Sequence, residues 1–135
     1  MRSLEVVSLV SCAAFTAWLT GCAAPAAVSA TLAMRKLALA EAQFEGAQYA
    51  EAKDTFASID LQGRGWERAE NDEAPVDVRA RYALYRGLTL IALGDRGQGS
   101  AWLREAWALE CMRRGALSDH EVQRLRVAVE ANDLP

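Results

Sequence analysis

Few side chains in this chain of 135 residues could do covalent or metal chemistry: three cysteines, Cys12, Cys22 and Cys111, and one histidine, His120. A cysteine nucleophile needs a partner that holds it as thiolate, and Cys111 with His120 nine residues on is the one such pair on offer. Cys111 stands among Trp107, Ala108 and Met112, an apolar helical setting expected to bury it as an inert thiol. His120 falls in the first turn of a helix and reads as a solvated cap residue. No Gly-rich phosphate loop, zinc-ligand spacing or paired-carboxylate motif occurs, so no catalytic residue, metal or cofactor is expected. With 15 basic residues against 18 acidic ones, the formal charge of -3 offers no basic excess for a phosphate backbone, and nucleic acid is not an expected partner. That leaves Cys22.

Arg2, an apolar run of 14 residues from Val6 to Leu19 and small residues before a cysteine have the organisation of a signal peptide. The run is shorter than the roughly 20 residues a helix needs to cross a bilayer core. Its end, Leu19-Thr20-Gly21-Cys22, resembles the lipobox of bacterial lipoproteins. The resemblance implies that residues 1–21 are removed and that Cys22 carries diacylglycerol and a fatty acyl chain such as palmitate. Glu5 departs from the usual positive start by offsetting Arg2. Ala23 stands where an Asp would favour retention in the inner membrane, which implies an outer-membrane protein facing the periplasm; the inner-membrane periplasmic face is the alternative. Mature residues 22–135 would keep Cys111 as their one free thiol, so no internal disulfide can form.

The elements that follow are helical. Alanine supplies 27 residues, while Phe, Trp and Tyr reach 7%, a balance that favours closely packed helices over a β-sandwich. Residues 22–28 read as a lipidated tether and residues 29–135 as one helical domain. The spacing predicts a first helix from Ser29, as N-cap, to about residue 45, and a second from about Gln48 to Ser58. Residues 61–74 read as an exposed loop: after Leu61 the run QGRGWERAENDEA carries an acidic surplus, two Gly and no aliphatic side chain larger than Ala. Pro75 suits the first turn of a third helix that Gly94 ends. Asp95 with Gln98, and Ser118 with Glu121, are spaced as capping boxes for a fourth and a fifth.

Two helix pairs match each other. Gly87, Leu90, Gly94, Gly99, Leu103 and Ala106 follow spacings of 3, 4, 5, 4 and 3, and Ala40, Ala47, Ala52 and Phe56 repeat part of the pattern. This resembles the tetratricopeptide repeat, in which small residues let paired helices approach closely. The departures are a period of 47 between Ala40 and Gly87 in place of about 34, and no proline after either second helix. The fold expected is all-α: about two tetratricopeptide-like hairpins and a C-terminal capping helix.

The resemblance also implies a shallow groove lined by the first helix of each pair, here Met34, Leu37, Glu41, Phe44, Arg81, Leu84, Leu88 and Ile91. Such a surface suits an amphipathic helix or an extended peptide. Trp66, amid the charges of the loop, is a second candidate anchor. The function expected is that of a membrane-anchored periplasmic adaptor lipoprotein holding a protein of an envelope assembly, such as a secretion, motility or pilus system. A structural lipoprotein without a dedicated partner and an enzyme accessory subunit are the alternatives.

Overall fold

The computed structural model describes residues 25–63, 66 and 73–134, with side chains from Ser29 onward. Cys22, expected to be the lipidated residue, and the run before it lie outside the described residues. Among the described residues five helices follow one another: α1 (Pro25–Glu45), α2 (Tyr49–Ala57), α3 (Val76–Ala92), α4 (Arg96–Met112) and α5 (Asp119–Ala131). Their arrangement is all-α, with α1 packed on α2 and α3 on α4 as antiparallel hairpins. Among the described residues the one β pairing is a single bridge, Gln62 with Glu73.

Helix α1 starts at Pro25 rather than at Ser29. Proline at a helix start has its φ already set and lacks an N–H that would be unpaired there anyway. Residues 25–28, expected as tether, are therefore the first turn of the domain.

The two hairpins are built alike, 47 residues apart. Ala33, Leu37, Ala40 and Phe44 on α1 correspond to Ala80, Leu84, Gly87 and Ile91 on α3, all buried or half-buried. Ala52, Phe56 and Ile59 on the α2 side correspond to Gly99, Leu103 and Ala106 on α4, again buried. Even the turns repeat: Ala47 N–H donates to Phe44 O at 2.9 Å and Gln48 N–H to Gln43 O at 2.8 Å, and 47 residues on Gly94 N–H donates to Ile91 O and Asp95 N–H to Leu90 O, both at 2.9 Å. The left-handed residue is Gly94 (φ 88°) in one turn and Ala47 (φ 58°) in the other. Only the glycine adopts that conformation without crowding a Cβ against the following carbonyl.

Close approach is tightest in the second hairpin. A Cβ placed on Gly87 would lie 2.9 Å from Gly99 O and 2.9 Å from Leu103 Cδ2, and one on Gly99 would lie 2.5 Å from Ile91 Cγ1. The two hairpins are joined by an aromatic chain, Phe56 to Tyr82 at 5.7 Å and Tyr82 to Trp102 at 5.5 Å, both edge to face. The Tyr82 hydroxyl donates to Phe56 O at 3.2 Å and accepts from Arg86, whose guanidinium lies 4.5 Å from the centre of the Trp102 ring. Burial pushes the Tyr82 phenol above its usual range despite that cation.

At the start of α4 only half of the expected capping box forms, because the Asp95 N–H donates to Leu90 O and not to the Gln98 side chain. Asp95 accepts from Gln98 N–H at 3.1 Å, and at α5 the full reciprocal box forms between Ser118 and Glu121. Between α4 and α5 the Glu110 carboxylate accepts from the Gly115 and Leu117 N–H groups, both at 2.9 Å, closing a turn whose left-handed residue is Gly115 (φ 84°).

Two further expectations fail at the level of single side chains. Cys111 is exposed: Leu103, Ala106 and Leu109 turn one side of α4 inward, which points Trp107 and Cys111 outward. Trp66 is 8% exposed and folds back on the hairpin, its indole N–H directed at Asp60 O at 3.4 Å, so it is a core residue and not a free anchor.

Candidate functional site

The first helices of the two hairpins and the C-terminal helix, α1, α3 and α5, lie side by side and run in the same direction. Lateral contacts fix this: Glu41 meets Arg81 and Phe44 meets Tyr85, while Arg81 meets Glu121 and Tyr85 meets Arg124. Successive partners are about forty residues apart, seven fewer than the repeat of the hairpins, so the second hairpin is displaced along its axis by roughly two turns, about 10 Å at 1.5 Å per residue.

Two rows of side chains cross the three helices. In the first, Arg81 stands between two acids, its Nη2 2.5 Å from Glu41 Oε2 and its Nε 3.5 Å from Glu121 Oε1. The second Glu41 oxygen, Oε1, is buried with no hydrogen-bond partner among the described residues. Burial raises the Glu41 carboxyl above its ordinary 4.5, against the opposing pull of Arg81 and with added repulsion from Glu121 and Glu45. In the second row the Arg124 guanidinium pairs with Glu45 and lies 5.8 Å from the Phe44 ring centre and 5.7 Å from that of Tyr85. The Glu45 bond holds Arg124 even more firmly protonated, and burial raises the Tyr85 phenol.

This arrangement redistributes the eight groove residues. Leu37 and Leu84 are 1% and 0% exposed and belong to the stripe packed inside each hairpin, so they are core and no partner reaches them. Phe44 is half-buried against Tyr49 and Tyr85 and beneath Arg124. Glu41 and Arg81 are engaged with each other and, through Glu121, with α5. Ile91 turns toward α4, against Gly99, and Leu88 is half-buried on the core. Met34 is the one that stands open, at 37% exposure. The groove is thus partly filled by the chain's own α5.

Glu45, Tyr85, Glu121 and Arg124 complete the rows; sequence reasoning gives Glu121 a capping role and places none of the four on this face. Their signal is a second period: Glu41, Arg81 and Glu121 recur every 40 residues with alternating charge. A nucleophile or metal set does not emerge from this surface. His120 is exposed in the first turn of α5, and among the described residues no group of His, Cys, Asp and Glu could hold a metal ion. Nor, among them, is any helix long and apolar enough to cross a membrane. No protein-family model matches the chain, and neither a curated protein nor a solved structure does.

Proposed function

We propose that this chain is a lipid-anchored envelope protein that presents a small helical-repeat domain to the periplasm, from the outer membrane, as an adaptor for another protein. The observation that carries this reading is the pair of equivalent hairpins, alike down to their turn hydrogen bonds, set directly behind the lipobox-like Leu19-Thr20-Gly21-Cys22. Stacked hairpins of this kind offer surface and no chemistry of their own, which fits recognition and not catalysis. With α5 in place, a partner reaches the end of the face marked by Met34 and the exposed edge of Arg81. A structural role without a dedicated partner is the second reading, favoured by the ion pairs through which α5 already occupies the middle of that face.

Cell fractionation and affinity capture test the proposal together. Cys22→Ser is expected to release the protein from the membrane fraction, and Met34→Glu to abolish recovery of the envelope protein captured with the parent while leaving the thermal melt unchanged. A Cys22→Ser protein still firmly membrane-bound would remove the anchor. Capture that ignores Met34→Glu would move the partner to another surface, and failure of the parent to capture any envelope protein would favour the structural role.

A further inference from the structure

Helix α1 has an outward side that no other element covers among the described residues. Leu32, Arg35, Leu39 and Ala42 follow one another at spacings of 3, 4 and 3, opposite the buried Ala33, Leu37 and Ala40. Leu32 and Leu39 are 50% and 53% exposed, and Arg35, between them, is exposed. Single exposed leucines are ordinary. Two further observations make this pair different. Only Ala23 and Ala24 separate Cys22 from the start of α1 at Pro25, a reach of at most about 11 Å for extended chain. And from Pro25 to Ala40 the helix carries Arg35 and Lys36 with no acid, in a protein whose overall charge is -3.

We propose that this side of α1 rests on the anionic headgroup layer of the membrane, with Leu32 and Leu39 in the interface and Arg35 between the phosphates. The inference rests on acylation of Cys22. With so short a link the domain cannot stand away from the bilayer, and only the tilt of α1 remains to be decided. An upright α1 would lift Leu39 about 21 Å from the helix start and leave both leucines in water. A recumbent α1 puts both in the interface, where an apolar helix face sinks roughly 5–10 Å and a neighbouring Arg extends to the headgroups. The acids of α1, Glu41 and Glu45, are turned instead toward α3 and α5 and paired there with Arg81 and Arg124. The domain would then lie on its α1 edge, with α4 the helix farthest from the lipid; among the described residues α4 makes no contact with α1.

The test uses the full acylated protein, reconstituted into vesicles of phosphatidylethanolamine and phosphatidylglycerol that carry a nitroxide-labelled lipid. In a Cys111→Ser background, a bimane fluorophore is attached at Leu39→Cys or, as control, at the exposed Ala108→Cys of α4. The expected result is loss of most of the bimane emission at position 39 and little loss at 108, with the position-39 signal restored by adding Arg35→Glu and Leu32→Glu. Equal quenching at the two positions in a protein whose N-terminal mass shows the acyl chains overturns the proposal and leaves the lipoprotein reading intact. Contact of position 39 with a second labelled chain instead of lipid overturns it in favour of self-association. An unacylated N-terminus overturns both. Thermal melts of each variant confirm that the substitutions, all at exposed positions, leave the domain folded.

Discussion

Two glycines in neighbouring helices separate steric need from helix propensity. Replacing a helical Gly by Ala gains up to about 1 kcal/mol wherever space allows. At Gly97, in the first turn of α4, the nearest atom to an added Cβ is Asp95 Oδ1 at 3.9 Å, so Gly97→Ala is expected to stabilise by up to that amount. At Gly87 the same methyl meets Gly99 O and Leu103 Cδ2 at 2.9 Å, and the first of these is backbone that cannot rotate away. Overpacking in a tight core costs about 1–3 kcal/mol, so Gly87→Ala is expected to lose roughly 0–2 kcal/mol net of the propensity gain. Gly87→Leu should fall at the upper end of the overpacking range or beyond it. The two alanine variants should therefore differ by about 1–3 kcal/mol in opposite senses, and at about 4–8 °C per kcal/mol for a domain of this order the gap is easily read in a circular dichroism melt. If Gly87→Ala melts at or above Gly97→Ala, the close approach of α3 and α4 is not what the glycine serves.

Other consequences can be checked in the same purified domain-bearing protein. Because burial raises Glu41 above 4.5, the folded state binds its proton more tightly than the unfolded chain does, so this group's contribution is complete below 4.5 and fades as pH rises through the raised folded value; urea melts should show the parent gaining on Glu41→Gln as pH falls from neutrality toward 4.5, and the opposite trend would mean that the Arg81 pair dominates. Leu84→Glu should unfold the domain, since a buried unpaired carboxylate costs several kcal/mol, whereas Leu88→Glu at a half-buried position should melt within about 2 kcal/mol of the parent; equal tolerance of both would restore Leu84 to an open groove. Ala47→Gly relieves a left-handed alanine and should raise stability by up to about 1 kcal/mol, checked by the same denaturant titration.

Helix existence and most helix ends were legible because they depend on local chemistry: Ser118 with Glu121, Gly94 and Gly115 do at the termini what their side chains or lack of one suggest, and Asp95 caps α4 without the return bond from Gln98. The start of α1 was misplaced because Ser29 looked like a cap, while Pro25 serves the first turn directly. Facing was harder. Leu37 and Leu84 were assigned to a groove by family resemblance, yet their spacing of four and three from Ala33 and Ala40, and from Ala80 and Gly87, already placed them on the small-residue stripe that must face the partner helix. Cys111 was misjudged by counting apolar neighbours along the chain, when the stripe Leu103, Ala106 and Leu109 turns it outward. The rows through Arg81 and Arg124 depend on how far one hairpin slides along the other, a quantity set by tertiary packing of Phe56, Tyr82 and Trp102 and not by any local signal.

The connection between the hairpins is pinched at its base. Its ends are tied together before it begins, by the Gln62 to Glu73 bridge and by the Ala74 N–H donated to Leu61 O at 2.8 Å, with Trp66 packed inside. A clasp of this kind fixes where the chain leaves one hairpin and enters the next, and closure entropy grows slowly with chain length, by about 0.6 kcal/mol for each doubling. Residues added between Gln62 and Glu73 with Trp66 kept in place are therefore expected to leave the 47-residue correspondence of the two hairpins undisturbed, so the spacing of the hairpins is insulated from the length of what joins them.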